Sequence, residues 1–297
     1  MLHIRNHDPD TLGPHAGADA IDHRVRAEPA RVRTIRQRVP VAVLTLMLAG
    51  GVSASDEDAV EDEPADPAYS HGLIELKRQS TARGTPGETT KTNLKFDWFL
   101  QHNVVSLLRL ELPFPDRKAT FSGSPFDPDF GDAKFRVGFS AFEVSGRPIT
   151  SFVELTFPTA DPESQSAGVY QLSAGLRTAF RLSPGPVSLG SPAQAFSIQA
   201  QQVVSFAGDP ARIDINQTKF ELEWRDTWLS GRYAKATLKP VIDWVGADRT
   251  GAVLELEGGW PLNPQWLMAF MIGGQLWGNG VPSTYGSRLE FKVVYRY

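Results

Sequence analysis

The last eleven residues, Ser287 to Tyr297, alternate without a break, and that pattern restricts the segment to one kind of local structure. Leu289, Phe291, Val293, Tyr295 and Tyr297 fall on one side, and Arg288, Glu290, Lys292 and Arg296 fall mostly on the other. A side-chain period of two belongs to an extended strand, whose successive residues point to opposite faces of a sheet. The chain therefore ends in a β-strand with one apolar face, one ionised face and an aromatic closing residue. Alternation alone does not say which face meets water. A soluble sheet buries its apolar face and leaves the charges outside.

The opposite end of the chain bears on that choice. Arg31, Arg33, Arg36 and Arg38 form a basic stretch, Val39 to Gly51 is an apolar run, and Val52-Ser53-Ala54 is a small-residue site before the acidic Ser55-Asp56-Glu57-Asp58. These are the three parts of a secretory signal peptide. The run is shorter than the roughly 20 residues that a membrane-crossing helix needs. A buried core helix is the competing reading of residues 39–51, and Pro40, Gly50, Gly51 and the abrupt acidic switch all count against it. Residues 1–30, rich in His, Asp and Arg, are unusual ahead of a leader and read as the product of a start codon assigned too far upstream. The expected organisation is an N-terminal extension with a cleaved signal peptide over 1–54, an acidic disordered tail over 55–69, and one β-domain over 70–297.

From His71 onward the sequence breaks into about twelve amphipathic segments separated by Gly, Pro, Asp and Ser clusters. They run near 71–79, 93–101, 104–114, 133–142, 149–157, 169–182, 195–206, 215–225, 233–245, 252–260, 265–277 and 287–297. Their lengths suit tilted membrane-spanning strands of roughly 9–11 residues. Connections after odd-numbered segments tend to be long (80–92, 115–132, 158–168, 278–285), and those after even-numbered ones short (102–103, 143–148, 226–231, 261–264). Long loops on one rim and short turns on the other are the anatomy of an outer-membrane barrel. The Pro-containing connection 183–194 breaks this parity, and a register error is expected there.

Aromatic residues collect at segment ends. Phe114, Phe157, Phe206, Trp244 and Trp277 close odd-numbered segments; Trp224, Trp228, Trp260, Trp266, Tyr295 and Tyr297 sit beside short turns. Two interfacial belts would place them this way, although aromatic core packing in a soluble sheet is also open. One face stays uncharged through Leu108, Leu110 and Leu112, through Phe135, Val137 and Phe139, through Leu172, Leu176 and Phe180, through Phe220, Leu222 and Trp224, and through Met268, Phe270 and Ile272. The other face carries Lys95, Asp97, Arg109, Glu111, Lys134, Arg136, Glu154, Arg177, Arg181, Lys219, Glu221, Glu223, Lys235, Lys239, Glu255, Glu257, Arg288, Glu290 and Lys292, the candidate lining of a lumen. These charges either line an aqueous path and tune its selectivity, or knit together across strands in a nearly filled barrel. Basic groups slightly exceed acidic ones, so a weak anion preference is expected.

Enzymatic chemistry finds little footing. After the leader the only histidines are His71 and His102, and neither belongs to a His-x-Ser pair on one strand face. That region has no Gly-x-Ser-x-Gly elbow, no phosphate loop and no His-Glu-x-x-His. Asp127, Asp129 and Asp132, with Gly131, gather carboxylates that suit a hard cation, but Asp beside Pro and Gly is ordinary turn chemistry, and no metal is expected. The absence of cysteine excludes disulfides, thiolate metal centres and a lipid-modified N-terminal Cys. With a net charge of −4 and no basic block interleaved with aromatics, nucleic acid is not an expected partner.

Two resemblances sharpen the reading. The terminal strand, with Leu289, Phe291, Val293, Tyr295 and the closing Tyr297, resembles the insertion signal of bacterial outer-membrane barrels. The stretch Gly131-Asp132-Ala-Lys-Phe-Arg-Val-Gly, then Glu154-Leu-Thr-Phe-Pro158-Thr159 and Gly168-Val-Tyr-Gln-Leu-Ser-Ala-Gly175, resembles the outer-membrane barrel family named for transport in the MetA pathway of phenol degradation. That family ends one strand on Leu-Pro-Thr-Gly, where this chain has Phe157-Pro158-Thr159-Ala160. The resemblance covers roughly Phe130 to Leu182 and implies a barrel of about twelve strands with a transport or secretion role. Its relatives include channels exporting functional amyloid, but the segment ahead of the first strand here has no room for a long helical plug.

The fold class expected is thus all-β: a transmembrane antiparallel up-and-down barrel of about twelve strands, in the bacterial outer membrane. The function expected is passive passage of a small solute through a narrow charged lumen, without catalytic residues or cofactor. The alternatives are an outer-membrane lipid hydrolase and a structural or adhesion barrel with no open pore. Expected partners are outer-membrane lipids and lipopolysaccharide, the barrel-assembly machinery and an unidentified small solute.

Overall fold

A computed structural model describes residues 71–82, 89–116, 129–144, 147–160, 167–183, 193–245 and 248–297. The leader, the acidic tail and Asp127 lie outside them. Twelve strands follow in chain order: β1 Gly72–Thr81, β2 Thr89–Phe99, β3 Val105–Pro115, β4 Lys134–Val144, β5 Arg147–Thr156, β6 Val169–Ser183, β7 Ala193–Gly208, β8 Asn216–Thr227, β9 Tyr233–Asp243, β10 Arg249–Pro261, β11 Trp266–Trp277 and β12 Ser287–Arg296. Each pairs antiparallel with its sequence neighbours, and β1 pairs with β12, so the sheet closes on itself. Closure leaves no sheet edge with unpaired backbone groups, the condition for crossing hydrocarbon with strands. No helix among the described residues is long and apolar enough to cross a membrane.

The seam shows what the terminal residue does. Leu73 lies opposite Arg296, and beyond the last strand the Tyr297 carbonyl accepts the His71 and Gly72 N–H groups at 2.6 and 3.2 Å. The Tyr297 N–H returns a bond to Gly72 O at 3.1 Å. Both ends of the barrel therefore lie at one rim, the terminal rim, which also carries the turns after β2, β4, β8 and β10. The opposite loop rim carries the connections after odd-numbered strands.

Two strand starts move by three residues or more from their sequence positions, for physical reasons. β2 begins at Thr89 rather than Asn93, because Thr89–Thr92 pair with Thr81–Arg78 and continue the hairpin past residues that read as a loop. β10 begins at Arg249 rather than Ala252; Arg249 lies opposite Asp243, and its Nη2 donates to that carboxylate at 2.8 Å. A register error is expected at the 183–194 connection; residues 184–192 lie outside the described residues, and the strands flanking them, β6 and β7, still pair as neighbours. β6 and β7 extend through 15 and 16 residues, and irregularities at Tyr170/Gln171 and Arg181/Ser183 absorb the mismatch.

Polarity is inverted relative to a soluble domain. Leu76 is 51% exposed and Ile272 49%, and Phe270, Leu256 and Phe291 are similarly exposed on the outer face, whereas Asp97 is 1% exposed and Glu75, Glu255 and Glu290 are each 7% exposed on the inner face. Exposed apolar surface on this scale needs a nonpolar solvent. Each large apolar side chain moved from water to acyl chains contributes roughly 1.5–3 kcal/mol. Exposed aromatics mark both ends of the outer face: Phe157, Tyr170, Phe206, Trp244 and Trp277 toward the loop rim, and Trp98, Trp224, Trp260, Trp266 and Tyr297 toward the terminal rim. Trp266 packs against Tyr295 with ring centroids 4.7 Å apart and the ring planes tilted by 40°.

Candidate lumen

The register fixes which side chains meet inside. Arg109 closes on Asp97 through two bonds, Nε to Oδ1 at 2.6 Å and Nη2 to Oδ2 at 2.8 Å. Lys95 lies 3.9 Å from Asp97 and donates to Glu75 at 3.0 Å. On the far side of β11, Lys292 lies 2.8 Å from Glu257, which is 3.6 Å from Lys235; Lys235 is in turn 3.6 Å from Glu223, and Glu223 is 3.9 Å from Arg177. Together these pairs form a belt of alternating charge along the wall. Higher up, Lys239 and Arg288 share Glu255 at 2.7 and 3.3 Å, and Arg136 holds Glu154 at 2.8 Å. Lys134 is 3.9 Å from Glu111. Glu221 lies between Lys219 and Glu223 on the inner face of β8, and Glu290 is buried on β12.

Two rings set the height of neighbouring guanidinium groups. Phe152 lies against Gly175 and Tyr233 against Gly259, where an added Cβ would come within 2.3 and 2.0 Å of the respective rings. Glycine is what permits that approach. Arg136 then stacks over Phe152 and Arg225 over Tyr233, each 4.1 Å from the ring centroid, a cation–π contact that holds the cation on the wall. Tyr285, in the loop before β12, donates to Glu255 and lies under Arg288 at 3.7 Å. Burial, reinforced by the Glu255 carboxylate, holds the Tyr285 hydroxyl well above its ordinary pKa, so it remains a proton donor.

A cavity of about 420 Å³ lies inside the barrel, lined by Lys95, Asp97, Arg109, Arg136, Arg177, Glu221, Lys235, Lys239, Glu255, Glu257, Arg288, Glu290 and Lys292 among others. Glu111, Lys134, Glu154, Arg181, Lys219 and Glu223 stand outside that lining, although register and ion pairing put them on the inner face. Phe139, read from sequence as lipid-facing, contributes to the lining where the register of β4 shifts. Inner-face charges absent from the sequence selection are Glu75, Lys77, Lys91, Arg225, Asp243, Arg249 and Arg296. The signal for Glu75 and Lys77 was present, since they alternate with Ile74 and Leu76, but Arg78 next to Lys77 blurs it.

His102, Asp129 and Asp132, singled out from sequence, turn out to build turns, while His71 pairs through its backbone with Tyr297 and Phe99. His102 Nδ1 accepts the Val104 and Val105 N–H groups at 3.2 and 3.3 Å, which occupies it as the cap of the β2–β3 turn. Asp132 accepts the N–H groups of Ala160 and Ala167 at 3.3 and 2.8 Å and so pins both ends of the β5–β6 connection. Thr159 Oγ1 donates to Gly131 O at 2.8 Å and accepts Ala133 N–H at 2.9 Å. The Gly-Asp and Pro-Thr motifs are thus two halves of one clasp. Asp129 accepts Phe130 N–H at 2.9 Å, and no group of three metal-ligating side chains occurs among the described residues. Asp132→Ala should lower the heat-modifiable unfolding transition by about 1.5–3 kcal/mol and expose the β5–β6 connection to protease, while Asp132→Asn, which keeps one acceptor, should lose less. Equal melting of wild type and Asp132→Ala would remove the clasp.

With this geometry in place, comparison with solved structures is informative about fold. An outer membrane channel from Pseudomonas putida F1 superposes with a TM-score of 0.59 at 11% identity, covering 83% of this chain and 100% of that one. The NanC porin superposes with a TM-score of 0.51 at 9% identity, covering 76% of this chain and all of its own. The chain has the fold of an outer-membrane barrel. No protein-family model matches the sequence, and no curated protein matches it either.

Proposed function

We propose that this barrel is a passive outer-membrane channel for small hydrophilic solutes, with a narrow charged lumen that prefers anions. The observation carrying the reading is the inversion itself: ionised side chains enclose the interior cavity while leucine, isoleucine, phenylalanine and tryptophan cover the outside. A lumen paved with charged side chains keeps water and hydrophilic solute inside and offers no apolar path. The similarity to a channel and to a porin agrees with this. Kinship with the MetA-pathway transporter family is part of the same proposal, carried by the Gly131-Asp132 and Pro158-Thr159 motifs.

The anion preference follows from where the extra inner-face charges fall. Lys77, Lys91, Arg225, Arg249 and Arg296 join the basic side, against Glu75 and Asp243 on the acidic side. Solutes entering a confined, partly dehydrated bore feel such a surplus more strongly than they would in bulk water. In a planar bilayer under a KCl gradient, the reversal potential should therefore lie on the chloride side of zero. A potential on the potassium side would overturn the preference, and correctly folded protein without conductance or liposome swelling would favour the closed structural barrel instead.

A further inference from the structure

Most of the inner face is ionised, and one stretch of it is not. Leu73, Phe99 and Tyr233 line the interior cavity, and Leu267 pairs with Val294, which pairs in turn with the inward Glu75. All five lie at the terminal-rim ends of their strands. Leu73 is the second residue of β1 and Leu267 of β11, Tyr233 is the first of β9, Phe99 is the last of β2, and Val294 is third from the end of β12. Leu73, Tyr233, Leu267, Ala269 and Val294 pack into one apolar cluster, with Phe99 against it. The strands from β9 through β12 to β1 and β2 are consecutive in the closed sheet, so the cluster spans half the circumference.

Inward side chains of an open bore are bathed by water. Val294 is 1% exposed and Tyr233 4%, so at this level the space in front of the wall is filled. The Tyr233 ring lies across Gly259 of β10 toward Ala269, the residue opposite Gly259 on β11. Its hydroxyl donates to Glu257 and the Arg225 guanidinium covers its face, so both the tip and the plane of the ring are fixed. The cavity extends down to Leu73, Phe99 and Tyr233, and a solute crossing the barrel passes this cluster.

We propose that the cluster is the constriction of the channel, an apolar sill that limits solutes by size and by hydration, with Tyr233 as the residue that sets the size limit. The inference rests on the passive-channel reading and not on the anion preference. An apolar stretch offers a passing ion no replacement for the water it sheds, so a narrow one resists strongly hydrated ions even where their bare radius would fit. The charged wall above concentrates solute, and the sill sorts that solute by its width and by the water it has to lose.

Two variants separate width from hydration. Y233A removes the ring, and in full-length protein in a planar bilayer it should raise single-channel conductance about two- to threefold, while liposome swelling should extend from monosaccharides to disaccharides. Y233F keeps the ring and should behave like wild type in both measurements. L73N keeps the volume but presents an amide to water, so it should raise conductance without moving the sugar limit. Heat-modifiable migration reports folding, and F99A takes the place of Y233A if that variant does not close into a barrel. Wild-type conductance and sugar limit in Y233A and L73N alike overturn the constriction alone, and a gain in Y233A without one in L73N overturns the hydration barrier. A silent wild type beside a conducting Y233A supports the constriction as a closed gate, whereas silence in every variant overturns the channel reading and the constriction with it.

Discussion

Ile272→Arg should cost roughly 2–4 kcal/mol of folding stability in a bilayer, the penalty of an arginine at the midplane of a barrel's lipid face. Ile272 sits midway along β11 between Trp266 and Trp277, both exposed at the ends of the strand, and is 49% exposed between the outward neighbours Leu256 and Leu289. On a surface facing water the same change would be nearly neutral, within about 0.5 kcal/mol. The two environments therefore predict clearly different results from one substitution. Denaturant titration of protein folded into lipid vesicles reads the difference, and Trp266→Arg, in the interfacial belt, should cost less because the penalty falls toward the headgroups. A neutral Ile272→Arg would mean that the outer face meets water or a protein partner rather than lipid.

The sequence reveals the strands far better than it reveals the interior. All twelve elements are legible because a period of two survives even where the charges are imperfect, as in Leu73 to Gln79. Thr89–Thr92 was missed because threonine and lysine after a Gly-containing stretch carry no apolar face, and only pairing with β1 makes them strand. Which face turns inward is not written in the alternation. That choice came from the N-terminal leader pattern and Tyr297, two features unrelated to strand pairing. Pairing inside the lumen was illegible for a different reason, because partners depend on register and on the strand in between. Lys292 and Arg288 reach Glu257 and Glu255 across β11, where Ala269 and Gly273 are too small to block them. In the sequence, Ala269 and Gly273 are merely small residues in an apolar segment. The clasp of Asp132 with Ala160 and Ala167 spans 28 and 35 residues, a separation that no local pattern reports.

The same wall of pairs leads to the second large effect, expected at Glu257. Its carboxylate lies 2.8 Å from Lys292 and 3.6 Å from Lys235 and accepts the Tyr233 hydroxyl. Glu257→Gln keeps the volume and some hydrogen bonding but takes from Lys292 its counter-charge at 2.8 Å and leaves Lys235 with Glu223 alone. If the wall here is well shielded, as side-chain exposures of 14% for Lys292 and 8% for Glu257 indicate, removing one partner should cost about 3 kcal/mol. If bulk water reaches the pair freely, the loss should stay below about 1 kcal/mol, as for exposed ion pairs. The size of the loss therefore measures how wet the bore is at this level. Conductance gives an independent reading of the same variant: one negative charge fewer should move the reversal potential further toward chloride. E257Q/K292Q, which removes both charges, should return selectivity close to wild type and recover part of the stability, since a neutral pair leaves no stranded charge. A double variant as unstable as E257Q would show that the cost lies in packing against Tyr233 and Met271 rather than in charge, and the paired belt would then be a scaffold for the wall and not an electrostatic element of the channel.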